Sequence, residues 1–144
     1  MIQPNDFIAQ ADKLITGSSE MDFRSAVSRA YYSLYHETFI HLNNTRKQEL
    51  IGRISQELNK RKWRINWIRL NTLDPNYLKR LKLNWHEICK DILGNIDPLA
   101  GNDFNDFRDE RNKADYDLNL TFNQTNSVAT IKEIKKLIVR VPTL

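Results

Sequence analysis

The stretch FRDERNKADYD, residues 107–117, contains the side chains of this chain that are best suited, by type and spacing, to phosphate chemistry. It places two arginines, Arg108 and Arg111, among aromatic residues and carboxylates. A guanidinium stays charged at every physiological pH, and its forked N–H donors match the oxygens of a phosphate. The stretch therefore holds two candidate phosphate-binding arginines.

The position of Arg111 on its predicted helix decides what this side chain must contact. If residues 103–118 are helical and advance by about 100° per residue, Arg111 falls inside an apolar stripe. The other members of the stripe are Phe104, Phe107, Ala114 and Leu118. Burying an unpaired guanidinium is very costly, so Arg111 must pair with a carboxylate or stand at an open cleft. Asp115, one turn further on, is the local candidate, and both an ion pair that fixes packing and a phosphate site stay open.

Three residues of a long second helix are further candidates for this site. Of the three histidines, His36 is the best placed to exchange protons, since it lies one turn beyond Tyr32 on a helix that can face the arginine stretch. Tyr32 and Arg29 are candidates for binding in the same cleft. The alternatives are structural, namely a histidine without a chemical role, a tyrosine packed in the core and an ion pair of Arg29 with a carboxylate of residues 103–117. For Arg29 we favour the ion pair.

A second candidate binding region is the basic stretch KRKWRINWIR, residues 60–69. Lys60, Arg61 and Arg64 could bind phosphates, while Trp63 and Trp67, one helical turn apart, could stack on bases. The alternative is an amphipathic helix with buried tryptophans and solvated lysines, and we favour it because tryptophan is usually a packing residue. A role at a membrane surface is only weakly indicated.

Hydrophobic spacing and punctuation predict an all-α protein that forms one domain over residues 1–144, an up-and-down bundle of four to five helices. The predicted helices cover about 5–15, 19–43, 74–94, 103–118 and 124–141, with a basic region at 46–70 that is open to interruption. The second of these helices is apolar almost all round, which places it centrally in the bundle or at a subunit contact.

Four features mark the predicted helix ends. Ser19 is suited to cap the second helix, and Asp74 followed by Pro75 gives a cap and a first helical residue. The residues from Gly94 to Gly101 are predicted to form a loop, after which Asn102 or Asp103 caps the arginine-bearing helix.

Charge and composition narrow the function classes. The net charge is +4, but residues 46–96 carry twelve basic and five acidic side chains, whereas residues 97–117 carry three and seven. This asymmetry indicates an anionic partner or a charge-matched self-contact.

The single cysteine, Cys89, permits no internal disulfide, and no Cys/His spacing resembles a metal site, so we expect neither metal nor cofactor. We also expect no signal peptide, no membrane span and a cytoplasmic location.

Two motifs in this order carry a resemblance to a known family. SRAYYSLYHE, residues 28–37, followed by RNKADYD, residues 111–117, resembles the HEPN domain family. The resemblance implies a four- or five-helix bundle that commonly dimerises, so that the arginine motifs of two subunits face each other across one cleft. It also implies RNA or nucleotides as ligands. Many members are metal-independent ribonucleases, often toxins or defence effectors; some pair with a small nucleotidyltransferase, and others bind without cutting.

The chain departs from the ribonuclease members at one position. Arg111 and Asn112 match the start of their motif, but the histidine expected four to six residues after the arginine is absent, and Asp115, Tyr116 and Asp117 occupy those positions. The resemblance implies that Arg111 stabilises charge on a phosphate and that Asn112 orients the backbone. Proton exchange would then fall to Tyr116 or His36, although an ordinary tyrosine, with a pKa of about 10, is a poor base.

We therefore expect a HEPN-like domain that binds RNA or nucleotide at an arginine-lined dimer cleft, with or without cleavage of RNA. Arg108, Asp115, Arg29 and Tyr32 are the expected binding residues beside Arg111. The alternative is a non-catalytic interaction subunit, for example the partner of a small nucleotidyltransferase, in which arginine–aspartate pairs only lock the dimer.

Overall fold

The computed structural model describes residues 3–144, and within them the chain is entirely helical, with no β-strand. The helices are α1 (Pro4–Leu14), α2 (Glu20–Thr45), α3 (Lys47–Lys60), α4 (Trp67–Asn71), α5 (Pro75–Leu81), α6 (Trp85–Ile96), α7 (Pro98–Tyr116) and α8 (Gln124–Arg140), followed by a 3-10 turn at Val141–Thr143. The predicted all-α class is confirmed, although this part of the chain has eight helices rather than four or five. No helix within residues 3–144 has the length and apolar character needed to cross a membrane.

α2 is the central helix of the structure. It packs against α1, α3, α6, α7 and α8. Ala26, Ala30 and Leu34 on this helix are completely buried, and the partly buried Tyr35 and Phe39 pack against the same core from another side. The sequence predicted either a central position or a subunit contact for this helix, and the central position is observed. A helix that is apolar on more than one side must be covered on more than one side.

Two of the predicted caps are confirmed. The backbone N–H of Asp22 donates to Oγ of Ser19 at 3.2 Å, and the N–H of Asn76 donates to Oδ1 of Asp74 at 3.0 Å. Each bond satisfies an N–H that has no partner within its own helix. Short polar side chains at these positions therefore start α2 and α5 as their sequence signals indicate.

The predicted loop between Gly94 and Gly101 is wrong. Asp97 alone separates α6 from α7, and its Oδ1 accepts hydrogen bonds from the N–H groups of Leu99 at 3.0 Å and Ala100 at 3.3 Å. The two glycines instead lie at the contact of α6 with α7, where a Cβ on Gly101 would stand 2.5 Å from Cα of Gly94. Their lack of a side chain serves close helix packing rather than chain reversal.

The predicted fourth helix is divided in the structure. Lys82 adopts the left-handed conformation with φ 48°, ends α5, and directs the chain into α6. The basic middle of the chain is also interrupted, as its pattern allowed: α3 ends at Lys60, and residues 61–66 are not helical before α4 begins.

Candidate functional site around Arg111

Arg111 lies on the inner side of α7, and only 14% of its side chain is exposed. Its Nη2 donates a hydrogen bond to the hydroxyl of Tyr32 on α2, and its Nη1 donates to Oδ1 of Asn112 at 3.0 Å. Its Nε lies 2.9 Å from Oδ2 of Asp115. The guanidinium is thus held between two helices. We call Arg111, Tyr32, Asn112, Asp115 and Tyr116 the Arg111 cluster.

The ion pair of Arg111 with Asp115, which the four-residue spacing predicted, is present. The N–H on Nε is nevertheless not aligned with the carboxylate, so this buried donor has a charge partner but no hydrogen bond among residues 3–144. Oδ2 of Asp115 also accepts a hydrogen bond from Oγ of Ser28 on α2 at 3.3 Å. Asp115 therefore links α7 to α2 while it neutralises part of the charge of Arg111.

Two tyrosine rings flank the guanidinium. Its Cζ is 5.0 Å from the ring centre of Tyr32 and 5.7 Å from that of Tyr116. Both distances are within the range in which a cation is attracted to an aromatic face. Tyr116 is 71% exposed, so this side of the guanidinium is covered by a ring that solvent and a ligand can reach.

His86 on α6 is the residue of this region that sequence reasoning missed. Its Nδ1 and the hydroxyl of the buried Tyr31 are hydrogen-bonded at 2.7 Å, and its ring stacks on Tyr35 with the ring centres 4.3 Å apart. Burial, and then the charges of Arg108 and Arg111, lower the pKa of His86 to about 4. A neutral imidazole therefore lies within the field of both arginines. A prediction of a direct α6–α7 hairpin would have placed His86 near the two arginines. The wrong prediction of a loop between these helices prevented that inference.

Arg108 is positioned by the register of this hairpin. Its Nη1 donates to Oε2 of Glu87 at 3.2 Å. Glu87 precedes Gly94 by seven residues and Arg108 follows Gly101 by seven, so the ion pair lies two helical turns from the glycine contact. Hydrogen bonding from Lys90, together with Arg108, holds the pKa of Glu87 below its usual value. The hairpin thus brings a second cation to the side of His86.

His36 lies beside Tyr32 but does not contact Arg111 directly. Its ring stacks on Phe7 of α1 at 5.2 Å between ring centres and meets the ring of Tyr35 edge-on at 5.0 Å. Burial lowers its pKa. Its link to the arginine region is indirect and runs through Tyr32, whose ring centre is 6.5 Å from that of His36.

Arg29 lies elsewhere. Its side chain is exposed and lines a groove with Lys13 of α1 and Asp22 of α2. The ion pair that we favoured, with a carboxylate of residues 103–117, is absent within residues 3–144, and that prediction is wrong. The reason is geometric: Ser28 and Tyr32 occupy the side of α2 that faces α7, and Arg29 is turned toward α1.

The end of α7 that carries the cluster is anchored by Arg24, a role that the sequence did not indicate. This buried side chain of α2 donates to the carbonyls of Lys113 and Ala114, each at 3.1 Å, and to the carbonyl of Leu120. The carbonyls at a helix end have no partner within the helix, so a guanidinium is well suited to satisfy them. Arg24 thereby keeps the last turn of α7 beside α2.

The basic stretch at residues 60–69 does not join the Arg111 cluster. Lys60 and Arg64 are exposed, whereas Arg61 is hydrogen-bonded to the carbonyl of Leu81 at 2.7 Å. The favoured interpretation that Trp63 and Trp67 are buried is wrong, since they are 46% and 53% exposed. The helix that would have buried them is interrupted at residues 61–66.

Comparison with known protein families, curated proteins and solved structures gives no match to this chain. The chemistry of the side chains themselves indicates what the site can bind. A guanidinium has five N–H donors, and the hydrogen bonds to Tyr32 and Asn112 use one on each Nη of Arg111. The remaining donors can hold an oxyanion, and the neutral imidazoles of His36 and His86 can accept a proton.

Proposed function

We propose that this chain is a HEPN-like helical domain that binds RNA or nucleotide phosphates at the Arg111 cluster. The observation that carries the proposal is the guanidinium of Arg111, which is turned inward, held by Tyr32 and Asn112, and left with N–H donors that its hydrogen bonds do not use. A preorganised arginine fork is a strong and geometrically specific ligand for a phosphate.

The electrostatics around the cluster support an anionic ligand. Arg108 and Arg111 both lower the pKa of His86, so the positive potential of the two arginines extends over the imidazole. Each arginine has a carboxylate partner, Glu87 and Asp115 respectively, which limits but does not remove this potential. A phosphate entering beside Arg111 would be attracted by the remaining field.

Exposed apolar side chains beside the cluster support a homodimer. Tyr116 and Leu118, at the C-terminal end of α7, are both more than two-thirds exposed. A second copy placed on this end of α7 would cover them and would bring two Arg111 clusters to one cleft. We propose this arrangement because apolar surface is stabilised by burial against a partner.

In the catalytic form of the proposal, the protein is a metal-independent ribonuclease of the toxin or defence type. The ribose 2′-oxygen attacks phosphorus, the 5′-oxygen leaves with a proton, and the products are a 2′,3′-cyclic phosphate and a 5′-hydroxyl. Arg111 stabilises the charge that develops on the phosphate oxygens, and Asn112 orients the strand. His36, His86 or Tyr116 exchanges the protons.

The test is incubation of the protein with mixed RNA in a chelating buffer, with wild-type, Arg111→Lys and Lys132→Ala proteins. Arg111→Lys keeps one charge beside Asp115 but loses the fork, whereas Lys132 is an exposed cation of α8. We expect cyclic-phosphate ends from wild-type and Lys132→Ala, and a loss of about tenfold or more in Arg111→Lys. Equal activity in all three proteins rejects the site. Binding without cleavage, again weakened only by Arg111→Lys, supports the non-catalytic form.

One observation favours a second candidate function. All three nitrogens of Arg111 already contact Tyr32, Asn112 or Asp115, as expected of an arginine that fixes structure. The chain would then be an interaction subunit, a homodimer or the partner of a small nucleotidyltransferase. In that case Arg111→Lys changes the molar mass measured by light scattering, and wild-type protein does not bind RNA through this cluster.

A further inference from the structure

An exposed surface beside the junction of α3 and α4 combines aromatic rings with positive charge. Trp63 and Trp67 each expose about half of their surface. Lys60, Lys62 and Arg64 are exposed, and they form no salt bridge with any residue in the range 3–144. We call these five residues the basic tryptophan surface.

The segment that carries these side chains is held in place by its neighbours. Arg61 donates to the carbonyl of Leu81 at 2.7 Å, and its Cζ lies 5.0 Å from the ring centre of Trp63. The backbone N–H of Asn66 donates to the hydroxyl of Tyr77 at 3.0 Å. These contacts tie residues 61–66 to α5. The exposure of Trp63 therefore belongs to an ordered segment with a defined backbone position.

The side chains of residues 58–73 that are charged and form no salt bridge within residues 3–144 are all positive. No acidic residue occurs from 58 to 73, and Glu57 and Asp74 at its borders are paired with Arg61 and Arg69. Nη2 of Arg61 also reaches the carbonyl of Lys82 at 3.4 Å, so the C-terminal end of α5 lies against the same segment. The exposed cations at that end are Lys79, Arg80 and Lys82. The positive field therefore extends beyond the five residues.

We propose that the basic tryptophan surface binds single-stranded nucleic acid. The cations neutralise successive phosphates, and the exposed indoles of Trp63 and Trp67 stack on bases, which requires bases that are not already stacked in a duplex. No hydrogen bond or salt bridge within residues 3–144 joins this surface to the Arg111 cluster, and we propose it as a second site. It stands whether or not the Arg111 cluster binds RNA.

The shape of the surface favours a strand over an anionic membrane. Helices that lie in a membrane interface present a long apolar face, whereas α4 has five residues and exposes Asn66, Asn71 and Thr72 around its apolar side chains. Ile68, 81% exposed, is the feature that a lipid surface would also accept. Vesicles are therefore included in the experiment.

The first arm of the experiment locates the ligand at the indoles. In a Trp85→Phe background, fluorescence excited selectively from tryptophan comes from Trp63 and Trp67 alone, since the chain has three tryptophans. An oligouridylate of about 12 nucleotides should quench this fluorescence, and a duplex should not. Anisotropy of a labelled oligouridylate should show that Trp63→Leu and Trp67→Leu each weaken binding by about tenfold. An oligothymidylate arm distinguishes RNA from DNA as the preferred strand.

The second arm uses charge variants on exposed side chains, where folding is not at risk. Removing Lys60, Lys62 and Arg64 together by substitution with Gln should lower the slope of log affinity against log salt by about 2, at about 0.7 per phosphate contact. A matched control removes three exposed cations elsewhere, with Lys47→Gln, Lys132→Gln and Lys136→Gln, and should keep the slope.

Three results would overturn the proposal. The first is an equal slope in the two triple variants. The second is binding to phosphatidylglycerol vesicles, lost with Trp67→Leu, when oligouridylate gives no quenching; this result would assign the surface to a membrane. The third is loss of quenching in Arg111→Lys, which would place the strand at the Arg111 cluster instead. Failure of RNA cleavage alone bears only on the function proposed for that cluster.

Discussion

Arg111 on α7 donates a hydrogen bond to the hydroxyl of Tyr32 on α2, across 79 residues of sequence. The same tyrosine presents its ring to the guanidinium, with Cζ 5.0 Å from the ring centre. Tyr32 thus accepts a hydrogen bond from Arg111 through its hydroxyl and contacts the positive charge through its ring. Both interactions stabilise an arginine that apolar spacing places on the inner side of its helix. The two sequence motifs, residues 28–37 and residues 111–117, meet at this contact.

Tyr32→Phe should lower the free energy of unfolding by about 1–3 kcal/mol, because it leaves a nearly buried guanidinium donor without its partner. The ring and its contact with Arg111 are retained. Tyr35→Phe is the matched control on the same helix, since the hydroxyl of Tyr35 has no hydrogen-bond partner in residues 3–144, and it should change stability by less than about 0.5 kcal/mol. Urea unfolding followed by circular dichroism gives both values, and equal losses would contradict the assigned role of Tyr32.

The glycine contact between α6 and α7 predicts an asymmetry between two similar substitutions. Gly101→Ala places a Cβ 2.5 Å from the backbone of Gly94 and should destabilise the protein by about 1–3 kcal/mol. Gly94→Ala meets nothing closer than 3.8 Å and should be neutral, or stabilising by up to about 1 kcal/mol through helix propensity. Thermal or urea unfolding would measure the pair. If Gly94→Ala proved the more damaging change, the described packing of the hairpin would be incorrect.

The environment of His86 predicts a pH dependence of stability. Its pKa in the folded protein, about 4, is below the ordinary 6.5, so the unfolded chain takes up the proton first as the pH falls. The free energy of unfolding should therefore decrease as the pH falls from about 6.5 toward 4. Above pH 6.5 His86 is neutral in both the folded and the unfolded chain, so it should add no further pH dependence. Burial lowers the pKa of His36 in the same direction, so the two histidines add.

His86→Gln should reduce this slope without abolishing it, because His36 remains. Glu20 and Glu87 have pKa values lowered from 4.5, so the stability they contribute is lost only at more acidic pH and leaves the histidine window clear. Urea titrations at several pH values between 4.5 and 6.5 measure the slope. A slope unchanged by His86→Gln would show that this imidazole is not buried as described.

Arg24→Ala should destabilise the protein by about 2–3 kcal/mol, since it removes a charged donor from the carbonyls that end α7. Arg29→Ala removes the same side chain from an exposed position of the same helix and should cost less than about 0.5 kcal/mol. Hydrogen exchange should show faster opening of the last turn of α7 in Arg24→Ala alone. Comparable losses in both variants would reject the anchoring role.

Local signals predicted a large part of this fold. The caps at Ser19 and Asp74 act within a few residues of themselves, and the ion pair of Arg111 with Asp115 spans one helical turn, so all three follow from spacing. The central position of α2 follows from an apolar character that one neighbour cannot cover. Where these predictions succeed, the physical cause lies inside one helix.

The failures have a different cause. Gly94 and Gly101 have the sequence character of a loop, but the energy of close packing between α6 and α7 keeps both in helices. The exposure of Trp63 and Trp67 depends on where the chain turns at residues 61–66, and hydrogen bonds from Arg61 and Asn66 to distant groups stabilise that turn. The spacing of apolar residues along one sequence gives no information about such contacts.

By itself the sequence determined the helical class, the starts of α2 and α5, and the presence of an arginine that had to find partners on an inner face. Only the tertiary structure decided what surrounds this arginine: Tyr32 of α2 accepts its hydrogen bond, Arg24 holds the end of α7, and the α6–α7 hairpin brings His86 within the field of Arg108 and Arg111. The reason is that the two kinds of interaction act over different separations in the sequence. Capping and periodicity act over one or two helical turns, whereas burial and hydrogen bonding between helices join residues that the chain keeps far apart until it folds.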